Sequence, residues 1–158
     1  MQSIILYMKK ICALFISIIF LAACKKEEDS TKKVTPTTVL MQIFSGDSVN
    51  NWYADNARIF SIVDSFTVVA SHYEVADSSV LFISHSTKEV GGYSFSAGGR
   101  PIVSFITNNP YSLYLSDSGS LQISTHDTVS NYLQGTYNVR VSNGSKSLRL
   151  QGEFDGSY

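Results

Sequence analysis

The sequence predicts an all-β fold: one antiparallel domain of about eight to ten strands, a two-layer β-sandwich in preference to a lipocalin-like up-and-down β-barrel. Three observations carry this. From Val39 onward the apolar residues alternate in short runs, and no window shows a convincing helical period. Turn-forming residues separate the runs. Ser, Thr and Val are abundant, and fifteen Tyr and Phe accompany the single Trp52. Mixed strand lengths and several long loops favour the sandwich over the barrel.

The chain opens differently. Met8-Lys9-Lys10 is a short basic start, and Ile11 to Phe20 is an apolar run of ten residues. A membrane-spanning helix needs about 20, so this run has the length of a signal-peptide core. Leu21-Ala22-Ala23-Cys24 then resembles the lipobox of bacterial lipoproteins. The resemblance implies cleavage before Cys24, diacylation of its thiol (palmitate-type chains) and acylation of the new amino terminus. One acyl chain binds a membrane only marginally, whereas three make a durable anchor. Residues 1–23 are therefore read as a lipoprotein signal peptide, with Met8 as the natural initiator. Cys12 leaves with it and lipid consumes Cys24, so the mature chain has no thiol for a disulfide or a metal.

Lys25-Lys26-Glu27-Glu28-Asp29 follows directly. It is either a solvated spacer or an export signal, since it resembles the lysine-then-acidic run behind the acylated cysteine of Bacteroidetes surface lipoproteins. Ser30 to Thr38 continues as a polar, Pro-containing stretch, so residues 24–38 read as a lipidated tether. The expected location is the outer membrane, lipid-anchored, with the cell surface favoured over the periplasmic face.

Residues 39–158 suffice for one domain with a modest core. Strands are expected near Val39–Phe44, Arg58–Val63, Phe66–Val75, Val80–Ser84, Gly92–Ala97, Ile102–Thr107, Tyr111–Ser116, Leu121–Thr125, Leu133–Ser142 and Ser147–Phe154. Tyr93, Phe95 and Ala97 alternate with Ser94 and Ser96, as in a strand with one wet side. Ile102-Val103 and Phe105-Ile106 supply apolar groups to both faces, as a central or covered strand would. Gly98 to Pro101 and Asn108 to Pro110 are turns by composition.

Two hairpins are specified to the residue. Asn143-Gly144 suits a two-residue type I′ turn, which pairs Val139 with Leu148, Tyr137 with Leu150, Gly135 with Gly152 and Leu133 with Phe154. One face of that ladder is apolar throughout, and a one-residue slip would oppose apolar to polar everywhere. Facing glycines would permit a bend or the close approach of an aromatic ring. Ser116 to Ser120 suits a three-residue loop with Gly119 left-handed, which pairs Leu115 with Leu121 and Leu113 with Ile123.

Several motifs carry a wider resemblance: Trp52-Tyr53-Ala54, Gly91-Gly92-Tyr93-Ser94-Phe95, Gly119 to Asp127 (GSLQISTHD), Leu133 to Tyr137 (LQGTY) and Leu150 to Phe154 (LQGEF). Together they resemble a group of uncharacterised Bacteroidetes lipoproteins of this length. Asn50-Asn51 precedes the Trp where that group has a Gly-containing turn. The resemblance implies location and fold, and no activity.

Chemistry is sparse. Six Lys and Arg stand against ten Asp and Glu from Val39 onward, a net charge of −4 (6 − 10), with no basic run. Nucleic acid is therefore not an expected partner. His72 is in phase with Phe66, Val68 and Ala70, which makes it half-buried structure; His85 ends a strand, and His126 sits in a turn. None has metal-ligand spacing, and adjacent His126-Asp127 point to opposite faces of an extended chain. No G-x-S-x-G or S-x-x-K announces a serine nucleophile, and Gly98 to Pro101 leads into a strand, not the helix a phosphate loop needs. The acids lie mostly in turn-like contexts such as Asp47, Asp77 and Asp117. No catalytic residue, metal or cofactor is expected, and the chain is read as no enzyme.

Binding by surface remains. Trp52, Tyr53, Tyr114 and Tyr132 are the candidate aromatics for stacking on a ligand such as a sugar ring, against the simpler role of covering the core. The expected partners are the membrane, through lipid, and a glycan. The alternative is a protein ligand, as for a structural accessory or an inhibitor of the immunity type, and an envelope hydrolase comes last.

Overall fold

The structure, a computed structural model, describes residues 35–75, 77–96 and 99–158. Cys24, the charge run 25–29 and the signal segment lie outside the described residues, as do Ala97 and Gly98. Ten strands follow in chain order. They are β1 (Thr38–Ser45), β2 (Ser48–Tyr53), β3 (Asn56–Ile62), β4 (Ser65–His72) and β5 (Ser79–His85). The second half holds β6 (Gly91–Ser96), β7 (Ile102–Asn108), β8 (Tyr111–Asp127), β9 (Tyr132–Ser142) and β10 (Ser147–Ser157).

The fold is all-β, one antiparallel sheet curled into a half-barrel. Strand order is β2-β1-β10-β9-β8-β7-β5-β4-β3, and β6 joins β8 beyond the end of β7. The facing layers are thus the two halves of one sheet. Period-two alternation explains the curl's contents: in β5, Leu81 and Ile83 point inward while Val80 and Phe82 point out. Phe66, Phe105 and Phe154 fill the interior with Leu121, Leu133 and Leu150. Each such side chain contributes roughly 1.5–3 kcal/mol by burial.

The outer surface is divided. Over β10, β9 and the second half of β8 it is polar, with Gln151, Glu153, Thr136 and Gln122 outward. Over β4, β5, β7 and the start of β8 it is mixed, with an apolar group set among Thr67, Ser84 and Ser104. Val69 pairs with Phe82, and Val80 with Ile106, which pairs in turn with Leu113. The two-sided apolar pattern of β7 is explained by this: Val103 and Phe105 are buried, while Ile102 and Ile106 belong to the outer face.

Several expectations are corrected. The stretch Ser116–Ser120 is no loop, because β8 runs straight through it; Leu113 pairs with Ile106, and Ile123 with Gly135 and Gly91. Neighbours on both edges, β6 and β9, hold the chain extended, and the irregularity survives as a register shift between Ser116 and Ser118. Asp117 is accordingly not a turn residue but an ion-pair partner of Arg140, 2.8 Å away.

The β9–β10 hairpin keeps its predicted faces but shifts by two residues. Val139 pairs with Leu150, Tyr137 with Gly152, and Gly135 with Phe154. The loop has four residues, not two: only Gly144 has positive φ (87°), and the Asn143 carboxamide accepts from the Ser145 and Lys146 N–H groups. An Asn side chain has taken the place of a second left-handed residue. The two glycines do not face each other. Each lies under an aromatic ring, and a Cβ on Gly152 would meet the Tyr137 hydroxyl at 2.7 Å.

β2 was not expected, because only Trp52 of its six residues is buried and no alternation marks it. β4 ends at His72, short of Val75. The stretch read as tether ends earlier than Thr38. Thr38 opens β1, bonding Asp155 through its hydroxyl, and Thr35 exchanges hydrogen bonds with Ser157.

Candidate functional site

At one end of the half-barrel the strands leave a cavity of about 610 Å³. That lies within the range of small-ligand sites, about 300–1,000 Å³. Its floor is aromatic. Trp52 is the one inward residue of β2, and its indole N–H donates to the buried Ser79 hydroxyl at 2.8 Å. Phe105 of β7 stands edge-on to Trp52 at 6.4 Å, and Tyr114 of β8 lies 6.4 Å beyond Phe105. His72 meets the other side of Trp52 at 6.0 Å.

The wall and rim are polar. His72 sits between two carboxylates, Nδ1 3.0 Å from Asp55 and Nε2 3.3 Å from Glu74. Both are close approaches, and the Nδ1 contact is not aligned as a hydrogen bond. The Asp55 carboxylate is fixed from behind by the Tyr73 N–H at 2.7 Å. The mouth adds Asn50, Asp77, Asn109, Asn143 and Lys146. These come from the β4–β5, β7–β8 and β9–β10 loops and the start of β2, all at the same end of the sheet.

A second, shallower concavity of about 540 Å³ lies on the polar outer face. Gln42, Asn51, Gln122, Asn138 and Gln151 line it with Tyr53, which is 57% exposed.

The four candidate aromatics therefore separate. Trp52 and Tyr114 meet in the end cavity but are only 5% and 6% exposed, so neither presents an open face on the outer surface. As a surface stacking residue Tyr114 is ruled out, because β8 turns it inward and leaves its neighbours Leu113 and Leu115 exposed. Tyr53 alone is an exposed stacking surface, on the other concavity. Tyr132 donates its hydroxyl to Asp155 at 3.2 Å, remote from both. Burial, and then the Asp155 charge, holds its phenol above the usual range.

Phe105, Glu74, Asp77 and Lys146 were not among the candidate binding residues; Asp77 was read as a turn residue and Phe105 as part of a covered strand. The inward phase of Phe105 with Val103 was readable, but its convergence with Trp52 depends on long-range strand order. His126 lies in β8 rather than in a turn and bonds the Tyr158 hydroxyl at 2.8 Å. His85 is buried with neither ring nitrogen partnered, and its ring centre lies 4.3 Å from that of Tyr93. Among the described residues no group of three or more His, Cys, Asp and Glu is placed to hold a metal ion. Compared with known proteins, the chain matches no family model, no curated protein and no solved structure.

Proposed function

We propose that this chain is a lipid-anchored binding module of the outer membrane, presented at the cell surface, which takes the end of a glycan into the open mouth of its half-barrel. The observation that carries this is the aromatic floor beneath a rim of carboxamides and carboxylates. A pyranose ring has apolar C–H faces and a belt of hydroxyls. Those faces can rest on the narrow ring margins that Trp52 and Tyr114, 5% and 6% exposed, present to the cavity. The hydroxyls need acceptors and donors side by side, which Asn50, Asn143, Glu74 and Asp77 supply. Nothing in this arrangement assigns a chemical step.

Strand direction supports the presentation. β1 starts beside the docked Thr35–Thr37 segment and ends at Ser45, which lines the cavity. Its eight residues span roughly 25 Å. The chain thus enters at the end remote from the mouth.

Trp52 is the chain's only tryptophan, so its emission reports on the cavity directly. Titration with a panel of neutral oligosaccharides should change that emission saturably. Glu74→Gln should weaken binding about tenfold, the value of one hydrogen bond to a charged group. Tyr53→Ala, outside the cavity, should leave it unchanged. Absence of any saturable change across the panel, or an equal loss in Tyr53→Ala, defeats the assignment. A second reading, a protein-binding accessory or inhibitor, is favoured by one separate observation, the apolar group Val69, Phe82, Val80, Ile106 and Leu113 on the outer face.

A further inference from the structure

We infer that the concavity on the polar outer face is a second binding site, built for an internal stretch of a neutral polysaccharide laid across the strands. The outward side chains that line it form two rows at right angles to the strands. In the first, Asn51 of β2, Gln42 of β1, Gln151 of β10, Asn138 of β9 and Ser120 of β8 are paired neighbours in turn. In the second, Tyr53 pairs with Leu40, Leu40 with Glu153, Glu153 with Thr136, and Thr136 with Gln122.

Chemistry identifies the occupant. A carboxamide both donates and accepts, as a sugar hydroxyl does, whereas a carboxylate only accepts and an ammonium only donates. Four carboxamides stand side by side in the first row. Glu153 is the one charged side chain lining the concavity among the described residues, so an anion finds no counter-charge there. The row is held in order. Gln42 Nε2 donates to Asn51 Oδ1 at 3.2 Å, and Arg149 Nε donates to Asn138 Oδ1 at 2.9 Å. Each bond leaves the other group of a carboxamide for a ligand, and less ordering remains to be done on binding. Arg149 itself is stacked on Phe44, 5.4 Å from the ring centre. At one end Tyr53 and Leu40, 57% and 42% exposed, make an apolar step on which the C–H face of a sugar ring can rest.

Local structure agrees with a site. Asn is depleted in strands, yet Asn51 and Asn138 lie within β2 and β9. Such departures from local preference concentrate at functional positions. Two register shifts of β8 against β9, at Ser116/Ser118 and Ile123/Thr125, bracket Ser120 and Gln122, and shifts of this kind re-aim side chains. Gly152 admits the Leu40 carbonyl oxygen, which a Cβ would meet at 2.2 Å. Five strands at about 4.8 Å make each row about 19 Å long. The rows end at margins of the sheet, β2 on one side and β6 on the other. A groove that runs out at both ends suits the middle of a chain, whereas the end cavity suits a terminus, and neither site needs the other. A peptide is matched less well, since extended peptides pair with strand edges through their backbones and not with a sheet face.

Native electrophoresis of the detergent-solubilised full chain through gels that contain a polysaccharide tests this. The probes are starch, a mixed-linkage β-glucan, a galactomannan and an arabinoxylan, and at least one should retard the chain. Against that probe Gln151→Ala and Tyr53→Ala should each weaken binding about fivefold, the value of one hydrogen bond or ring contact. Gln151→Glu, of the same shape but unable to donate, should weaken it as much. Thr67→Ala, on the other part of the outer face, should leave it unchanged, and all four variants should melt with the wild type. Asn51 is left intact because it also borders the end cavity. No retardation by any of the four probes would overturn the inference. So would retardation that the Gln151 and Tyr53 variants leave intact, an equal loss in Thr67→Ala, or retardation by gelatin alone, which would make this a peptide site. Loss in Glu74→Gln with none in Gln151→Ala would put all glycan binding in the end cavity, which overturns this inference and spares the proposed function.

Discussion

His85 shows what one residue does to the acid stability of this fold. Its ring is 4% exposed, packed against Tyr93 and Phe66, with no hydrogen-bond partner at either nitrogen. An imidazolium there would lose its hydration and gain no counter-charge. Burial first, and the Arg100 charge second, hold its pKa below the ordinary value. The sign follows. The unfolded chain takes up a proton near pH 6.5 that the folded chain refuses, so stability falls as pH drops below about 6.5 and levels off below the folded pKa. Asp127 acts lower. Its carboxylate accepts from the Ser130 hydroxyl and from the Val129 and Ser130 N–H groups, which depress its pKa; that stability is lost as pH falls below about 4. Melting temperature against pH should therefore descend in two stages, and His85→Phe should remove the upper one alone. Identical profiles for the variant and the wild type would show that His85 is not the group refusing protons. Tyr137 is a second buried polar residue, its hydroxyl unpartnered and its phenol pushed upward by burial.

Gly119 and Gly144 separate the two hairpin expectations at the scale of the element. Both have positive φ, 128° and 87°. A Cβ on Gly119 would lie 2.2 Å from the Asn138 carbonyl oxygen and 2.6 Å from the Val139 Cα, whereas one on Gly144 would meet nothing within 4 Å. Gly119→Ala should cost about 3 kcal/mol or more by parting β8 from β9, and Gly144→Ala about 1 kcal/mol of backbone strain. Chemical denaturation of both variants measures the difference. A larger loss at Gly144 would contradict the path of β8. The faces of β9 and β10 were legible because alternation survives a two-residue shift. The register was not, because an Asn-Gly pair serves either a two-residue turn or a longer loop closed by the Asn side chain. The choice falls to tertiary packing: Phe154 over Gly135 and Tyr137 over Gly152. Asp117-Ser118-Gly119 spells a loop locally, and only the partners on both edges make it a strand. Trp52 and Tyr114 were legible as aromatics of interest. Their meeting in one cavity was not, since β2 and β8 lie at different places in the strand order.

At the scale of the whole molecule, the described chain enters β1 at the end of the sheet opposite the cavity. Cys24→Ser should leave a precursor that is neither cleaved nor acylated, visible by mass spectrometry. Replacing Lys26, Glu27 and Glu28 with alanine should keep the lipid but lose protease access on intact cells. Equal access in both chains would make the charge run a spacer, and protection of the unmutated chain would put the domain in the periplasm. β1, the first strand after the segment proposed to carry the anchor, lies between β10, with seven paired positions from Thr38 with Asp155 to Phe44 with Arg149, and β2, with six. Tension between a captured ligand and the membrane would run along β1, at right angles to the hydrogen bonds on both of its sides. Such a pull shears the ladders instead of unzipping them, so every rung bears the load at once and none parts before the rest.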